Sequence, residues 1–345
     1  MARQYGALSG LAILLIVLNH SIEFAMSAPG ASTGDWQSNL LTTLKALGIF
    51  AVPTFLFISG SFVAYAAQGE RPSLSRKFLF STLRHIIIPY VIWSIVFYIL
   101  IYFVNDDRYT LTGYLKNLIV GYPFHFVPLL VFYYILSPIL VRVGKSYYGI
   151  LMLVLIGLFQ LALINLLNPG YLGFTFPASA RILAVPVLRS TLADWAIYFP
   201  LGVVCSLAAH NFIPWSRKLK WVFAGLTLVL FVLSFLNAFS IVSAPLARFL
   251  SPLPFVLLLP GIKRDSIPLM RLLERVGRRS YGIYLTHLIV LSLLFLALTS
   301  ILTWLSQFTV LASALFFFVG FGIPLLLMES VAKGPAKRMY RYIFG

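Results

Sequence analysis

Ten predominantly apolar stretches of about 17 to 26 residues follow one another along the chain, and this recurrence constrains the fold more than any other feature. A hydrocarbon layer about 30 Å thick is crossed by roughly 20 helical residues. Within it every backbone N–H and C=O must be satisfied internally, which leaves helices as the reading for runs of this length. The stretches run approximately over 6–27, 42–67, 82–104, 124–142, 147–167, 192–209, 219–239, 246–262, 279–302 and 307–329. Pro245, Pro252, Pro254 and Pro260 interrupt the eighth, where kinks are expected. The predicted fold class is an all-α polytopic membrane protein of about ten spans. With 60% hydrophobic and 10% charged residues and a mean hydropathy of +0.94, a soluble globule is excluded. The longest loops, about 28–41, 105–123 and 168–191, are too short to hold a soluble domain, so residues 1–345 are expected to form a single transmembrane domain.

The net charge of +17 would point to nucleic acid in a soluble chain, but here its placement explains it. Lys and Arg accumulate on cytoplasmic loops. Of the 26, twenty fall on alternate loops of one side: Arg3; Arg71, Arg76, Lys77 and Arg84; Arg142 and Lys145; Arg217, Lys218 and Lys220; Lys263, Arg264, Arg271, Arg275, Arg278 and Arg279; and Lys333, Lys337, Arg338 and Arg341. The other side holds Lys45, Arg108, Lys116, Arg181, Arg189 and Arg248. The split predicts that both termini are cytoplasmic and removes the case for a nucleic-acid partner.

Arg3, the apolar run after it and the small residues around 25–31 resemble a secretory leader, but nine further spans and polar groups in the first stretch favour a retained helix. Cys205 is the only cysteine, so no disulfide framework and no cysteine-based metal site is expected. Asn168-Pro169-Gly170-Tyr171-Leu172-Gly173-Phe174 reads as an ordered cap over a cavity mouth. A faint echo links Phe55-Leu56-Phe57-Ile58-Ser59-Gly60 with Tyr198-Phe199-Pro200-Leu201-Gly202, too short to be an internal repeat.

Polar groups inside apolar spans are costly and normally face a cavity or a partner, so the chemistry is sought among them. His20 lies some 15 residues into the first helix, about 22 Å from its start at 1.5 Å per residue. Glu23 follows at i+3 on the same face, where a carboxylate orients the imidazole and favours the imidazolium formed when it takes a proton. His20 and Glu23 are the candidate base and orienter; the spacing also fits a packing histidine beside a headgroup-level carboxylate. Tyr284 and His287 share a face of the ninth span with Ser280 a turn earlier, a stripe that either lines a pocket or glues helices. His125, within Phe124-His125-Phe126, sits at the outer entrance of the fourth span, where aromatic-belt packing is the competing account. His85 and His210 border cytoplasmic loops and read as packing groups.

Several stretches together resemble the acyltransferase-3 family of integral membrane O-acyltransferases. They are Leu8-Ser9-Gly10 through Asn19-His20; Val52-Pro53-Thr54-Phe55 through Ser59-Gly60; Phe124-His125-Phe126-Val127-Pro128 with Tyr134 and Pro138; and Ser280-Tyr281-Gly282-Ile283-Tyr284-Leu285-Thr286-His287. The resemblance implies acyl transfer from a cytoplasmic acyl-CoA, with acetyl-CoA the expected donor, to a hydroxyl of a cell-envelope glycan or lipid. It implies a bacterial-type inner membrane, no bound cofactor, no metal, and His20 at the position of the family's essential first-helix histidine. Ser59, His125, Tyr284 and His287 are the expected pocket residues.

Two departures accompany the resemblance. The family motif usually carries an arginine eleven residues before the histidine, where this chain has Ser9. Eleven residues turn a helix by about 1100° and rise about 16 Å, so the two positions share a face, whereas Arg3 lies roughly 100° around. Before the third span the family usually has two arginines three apart, linked to coenzyme A; this chain has Arg84-His85, with Arg76 and Lys77 further back. Arg76, Lys77 and Arg84 are the candidates for the donor's phosphates, which pair well with guanidinium groups. The rival reading is a transporter or flippase of an envelope glycan or lipid, because intramembrane polar groups also serve substrate paths.

Overall fold

The computed structural model describes residues 2–31, 34–67, 74–104 and 108–345; Arg71, counted above among the cytoplasmic charges, lies outside them. The chain is 82% helical, without strands among the described residues. In chain order the α-helices are α1 Ala2–Ser27, α2 Trp36–Ala46, α3 Ala51–Ala66, α4 Arg76–Val104, α5 Leu111–Val120, α6 Phe126–Gly144, α7 Tyr148–Leu167, α8 Arg189–Trp195 and α9 Tyr198–Leu207. They continue with α10 Ala209–Lys218, α11 Lys220–Ala238, α12 Ala247–Leu250, α13 Pro252–Leu258, α14 Met270–Gly277, α15 Ser280–Ser300, α16 Thr309–Lys333 and α17 Tyr340–Phe344.

Eight helical segments among the described residues are long and apolar enough to cross a membrane, and a ninth qualifies if α8 and α9, bent by 45°, count as one span. The eighth predicted stretch is a shorter apolar segment, Ala247–Gly261. It is divided into α12, α13 and a 3-10 turn ending at Gly261 because prolines supply no N–H to a helical ladder. The all-α polytopic class therefore holds, with one predicted span bent and another short.

Helix α1 is central, packed on α3, α14, α15 and α16, whereas α11 lies at the periphery with Phe223 its one buried residue. Two close crossings set the frame. A Cβ on Gly60 would run into the Phe199 carbonyl, and one on Gly202 into the Phe57 carbonyl, so α3 and α9 meet backbone to backbone. Gly10 and Gly277 do the same for α1 and α14, against Leu273 and Gly6. Small residues replace the hydrophobic drive that is missing in lipid by permitting such approach. The echo between the Phe55–Gly60 and Tyr198–Gly202 stretches is thus the two sides of one crossing.

The bend between α8 and α9 is held by Gln160 of α7, whose amide donates to the Asp194 carbonyl at 3.0 Å while its Oε1 accepts from the Ile197 N–H at 3.0 Å. Backbone groups freed by the break are thereby satisfied by a side chain, as a buried break requires. The expected cap over 168–174 is tied by Asn165, which is fully buried, accepts from the Leu172 N–H and donates to the Phe174 carbonyl, both at 3.0 Å.

Candidate functional site

Helix α1 carries His20 to the wall of a cavity of about 260 Å³, completed by Asn19, by residues 48–53 of the turn into α3, by Asp194 and Trp195, and by Arg248 and Phe249. The His20 side chain keeps 35% of its surface accessible, so the ring opens onto this space. Its Nδ1 lies 3.3 Å from Glu23 Oε2. An ionised carboxylate only accepts, so the proton sits on Nδ1 and the lone pair is left on Nε2, the state a base needs. Glu23 Oε1 in turn accepts from Lys45 Nζ at 3.2 Å, and the Lys45 carbonyl accepts from Asn19 Nδ2 at 3.1 Å. The turn that brings α2 toward α1 therefore fixes the carboxylate from its far side.

The ring of His287 stands 5.4 Å from that of His20 and 5.8 Å from that of Tyr284. His287 is fully buried on α15. Its Nδ1 faces the carbonyls of Tyr284 at 2.7 Å and Ile283 at 3.1 Å, both acceptors, so Nδ1 carries the proton. Its Nε2 has no hydrogen-bond partner among the described residues. A buried polar atom left unpaired costs about 1–3 kcal/mol, which marks this nitrogen as a group the fold retains at a penalty.

Tyr284 lines a second cavity, of about 290 Å³, with Ser9, Ser59, Tyr134, Ser280 and His85 among its walls. It lies toward the start of α1, the first lying about 16 Å further along that helix by the eleven-residue rise from Ser9 to His20. His287, touching the rings of both His20 and Tyr284, is the group that connects the two. His85 also lines a third, basic cavity of about 490 Å³ with Phe80, Ser81, Arg84, Arg338, Arg341 and Tyr342. Arg84 stacks over the Tyr342 ring at 4.9 Å and His85 lies 6.1 Å from it. The Trp93 indole, donating to the Ile343 carbonyl at 2.7 Å, docks α17 on α4 and builds this cavity. Among the described residues no carboxylate pairs with Arg84, Arg338 or Arg341.

The acyltransferase domain family (Acyl_transf_3) matches residues 7–329, a region that contains the first cavity, the walls of the second apart from Gly345, and the α4 side of the third. The chain belongs to this family. It is a multi-pass membrane acyltransferase. Searches among curated proteins and among solved structures return no match.

In this acyltransferase the sequence-predicted residues divide by place. His20 lines the first cavity and Glu23 orients its ring; Ser59 and Tyr284 line the second, and His287 stands between. His125 is apart from all three: it is exposed, its Nδ1 is 3.4 Å from the Val120 carbonyl, and its ring packs near Tyr122 at 6.1 Å. Arg76 and Lys77 are exposed at the start of α4 and line none of the cavities, whereas Arg84 does. His85, read from sequence as a packing group, borders two cavities. The expected cap over 168–174 lines none of the three, and the residues of that connection that do reach the first cavity are Asp194 and Trp195, past its end. Asp194, Arg248, Arg338 and Arg341 were not singled out from sequence. Each reads locally as a loop or span-end charge, and only the fold assembles them.

Proposed function

We propose that this acyltransferase moves an acyl group, acetyl in the first instance, from acyl-CoA to a hydroxyl of a cell-envelope carbohydrate or lipid, in a bacterial-type inner membrane with both termini cytoplasmic. The observation that carries the reading is the position of His20: oriented by Glu23, open to one cavity, and connected through His287 and Tyr284 to another. The basic cavity suits the phosphate-bearing end of the donor, because three guanidinium groups, none paired with a carboxylate among the described residues, supply charge-assisted donors and Tyr342 offers a flat face. Its shared wall at His85 leads into the second cavity, which would take the uncharged arm, with the thioester end directed past His287 toward His20.

The acceptor enters the first cavity. His20 Nε2 takes the proton of its hydroxyl, and the oxygen forms a bond to the thioester carbonyl carbon. The C–S bond then breaks, and the departing sulfur receives the proton from the imidazolium, giving an ester and a free thiol. Glu23 stabilises the imidazolium formed between the two proton movements. The His287 Nε2 lone pair, held neutral by the proton on Nδ1, accepts a hydrogen bond from the donor's amide as it passes. Holding both reactants in adjoining cavities supplies the orientation that a bimolecular transfer otherwise lacks.

The test is transfer of labelled acetyl from acetyl-CoA by purified protein in vesicles. With His20→Ala, a loss of at least about 100-fold is expected, the usual share of a general base. Transfer at the parental rate by His20→Ala, or none by the parent from any acyl-CoA, overturns the reading.

A further inference from the structure

We infer that His287 is a septum between the donor and acceptor cavities, keeping water from the thioester so that the acyl group goes to a hydroxyl and is not hydrolysed; this deepens the proposed function and rests on its assignment of the two cavities. The basic cavity and the second cavity share a wall at His85, but the first and second share no lining residue. Along α1 the second cavity is lined by Ser9 and the first by Ile16 and His20; along α3 the first is lined by Val52 and the second by Phe55. A packed layer lies between them: Ile13 and Ile283 are fully buried in one cluster, with Val52, Phe55 and Tyr284 against it. Interiors packed in this way hold few voids larger than a water molecule. His287 lines neither cavity, is fully buried, and sets its ring against a wall residue of each, His20 at 5.4 Å and Tyr284 at 5.8 Å.

The layer matters because the base on its acceptor side does not choose between hydroxyls. His20 keeps 35% of its side chain accessible, and a base that draws a proton from an acceptor hydroxyl draws one from water in the same way. Were water to reach the thioester, its oxygen would bond to the carbonyl carbon and His20 would take one of its protons. The C–S bond would then break and the sulfur would leave with that proton, giving acetic acid and free thiol. Excluding water prevents this side reaction. The septum yields to the donor for a reason visible in its hydrogen bonds. Its Nδ1 is held by the Tyr284 and Ile283 carbonyls while its Nε2 has no partner among the described residues, so the ring gains a hydrogen bond when the donor's amide N–H comes beside it. The arm fills the gap that it opens, and the two cavities are joined only while the donor occupies the passage.

The experiment follows release of labelled acetate and of thiol from acetyl-CoA by purified protein in phosphatidylcholine vesicles with no acceptor added. The parent is compared with His287→Ala, His287→Gln and the double variant His287→Ala with His20→Ala. Hydrolysis is expected to rise about tenfold or more over the parent in His287→Ala, which removes the ring, and to stay within about threefold in His287→Gln, which fills most of its volume. The double variant is expected to return to the parental level, because the water that enters is activated by His20. If His287→Ala does not fold, His287→Asn, shorter than histidine but polar, carries the same expectation. No rise in the shortened variant, a rise that survives the loss of His20, or a parent that hydrolyses acetyl-CoA as fast as it transfers acetyl overturns the inference, and transfer by the parent leaves the proposed function standing. A parent that uses no acyl-CoA fails the proposed function, and the inference with it.

Discussion

Glu23 Oε2 lies 3.3 Å from His20 Nδ1, one turn along the same helix, while its other oxygen accepts from Lys45 at 3.2 Å. One carboxylate therefore faces two basic groups, and the geometry makes the histidine the member that retains a free lone pair. The Glu23 and Lys45 side chains are 52% and 39% exposed, so their pair adds little stability, about 0–1 kcal/mol. Its consequence lies in where the carboxylate points.

Glu23→Gln preserves the shape and can still accept from Nδ1, but removes the charge that stabilises the imidazolium. The expected outcome is a fall in kcat of about tenfold to a hundredfold, part of the contribution of an oriented general base, with KM for acetyl-CoA within about twofold. Steady-state kinetics of acetyl transfer measure it. An unchanged kcat would show that the carboxylate only packs against the ring.

Removing the charge from the basic cavity should be felt by the donor's phosphates alone. In Arg338→Ala with Arg341→Ala, the preference for acetyl-CoA over acetyl-pantetheine, which lacks the nucleotide, is expected to fall about tenfold. That is modest for two charge-assisted contacts because both side chains are exposed and solvent screens them. Competition between the two thioesters reads the ratio directly. Equal losses for both would place these arginines outside donor recognition.

How much of this was legible in the sequence follows from the range over which each feature is encoded. His20 with Glu23, and Tyr284 with His287, are local: helical periodicity puts i and i+3 on one face whatever surrounds them. The helical segments are equally local, since apolar length alone marks them. The bend at 195–198 is not, because it depends on a glutamine of α7 that no nearby pattern relates to it. Arg338 and Arg341 are hidden for a different reason: loop topology alone accounts for them, and only the docking of α17 on α4 brings them to Arg84. The eighth predicted span shows the limit of hydropathy, which sees apolar residues but does not count the helix ladder that its prolines interrupt.

The α3 and α9 crossing makes a prediction about stability. Gly60→Ala and Gly202→Ala each set a methyl group against backbone, which has no rotamer to yield. Each should destabilise the protein by about 1–3 kcal/mol, the usual range for overpacking. Because both act on the same contact, the double variant should cost less than the sum of the singles. Thermal unfolding in detergent, followed by circular dichroism, gives the three values; independent, additive losses would mean that the helices separate at one glycine without affecting the other.

Cys205 is buried in α9 and lies outside all three cavities, so no cysteine side chain is assigned a part in the transfer derived above. Cys205→Ser is expected to keep acetyl transfer within about twofold, because a buried thiol and hydroxyl differ little in volume and a helix-buried serine hydroxyl finds a carbonyl one turn back. The cysteine-free protein then becomes the tool for topology. A cysteine placed at exposed Val242, after α11, should be labelled by an impermeant maleimide from outside intact cells; one at exposed Ser146, between α6 and α7, should be labelled only after the membrane is opened. That pattern follows from the twenty basic residues expected on one side and the six on the other. The reverse pattern would put Glu23 and its cavity on the cytoplasmic face and the basic cavity outside, where acyl-CoA is not supplied.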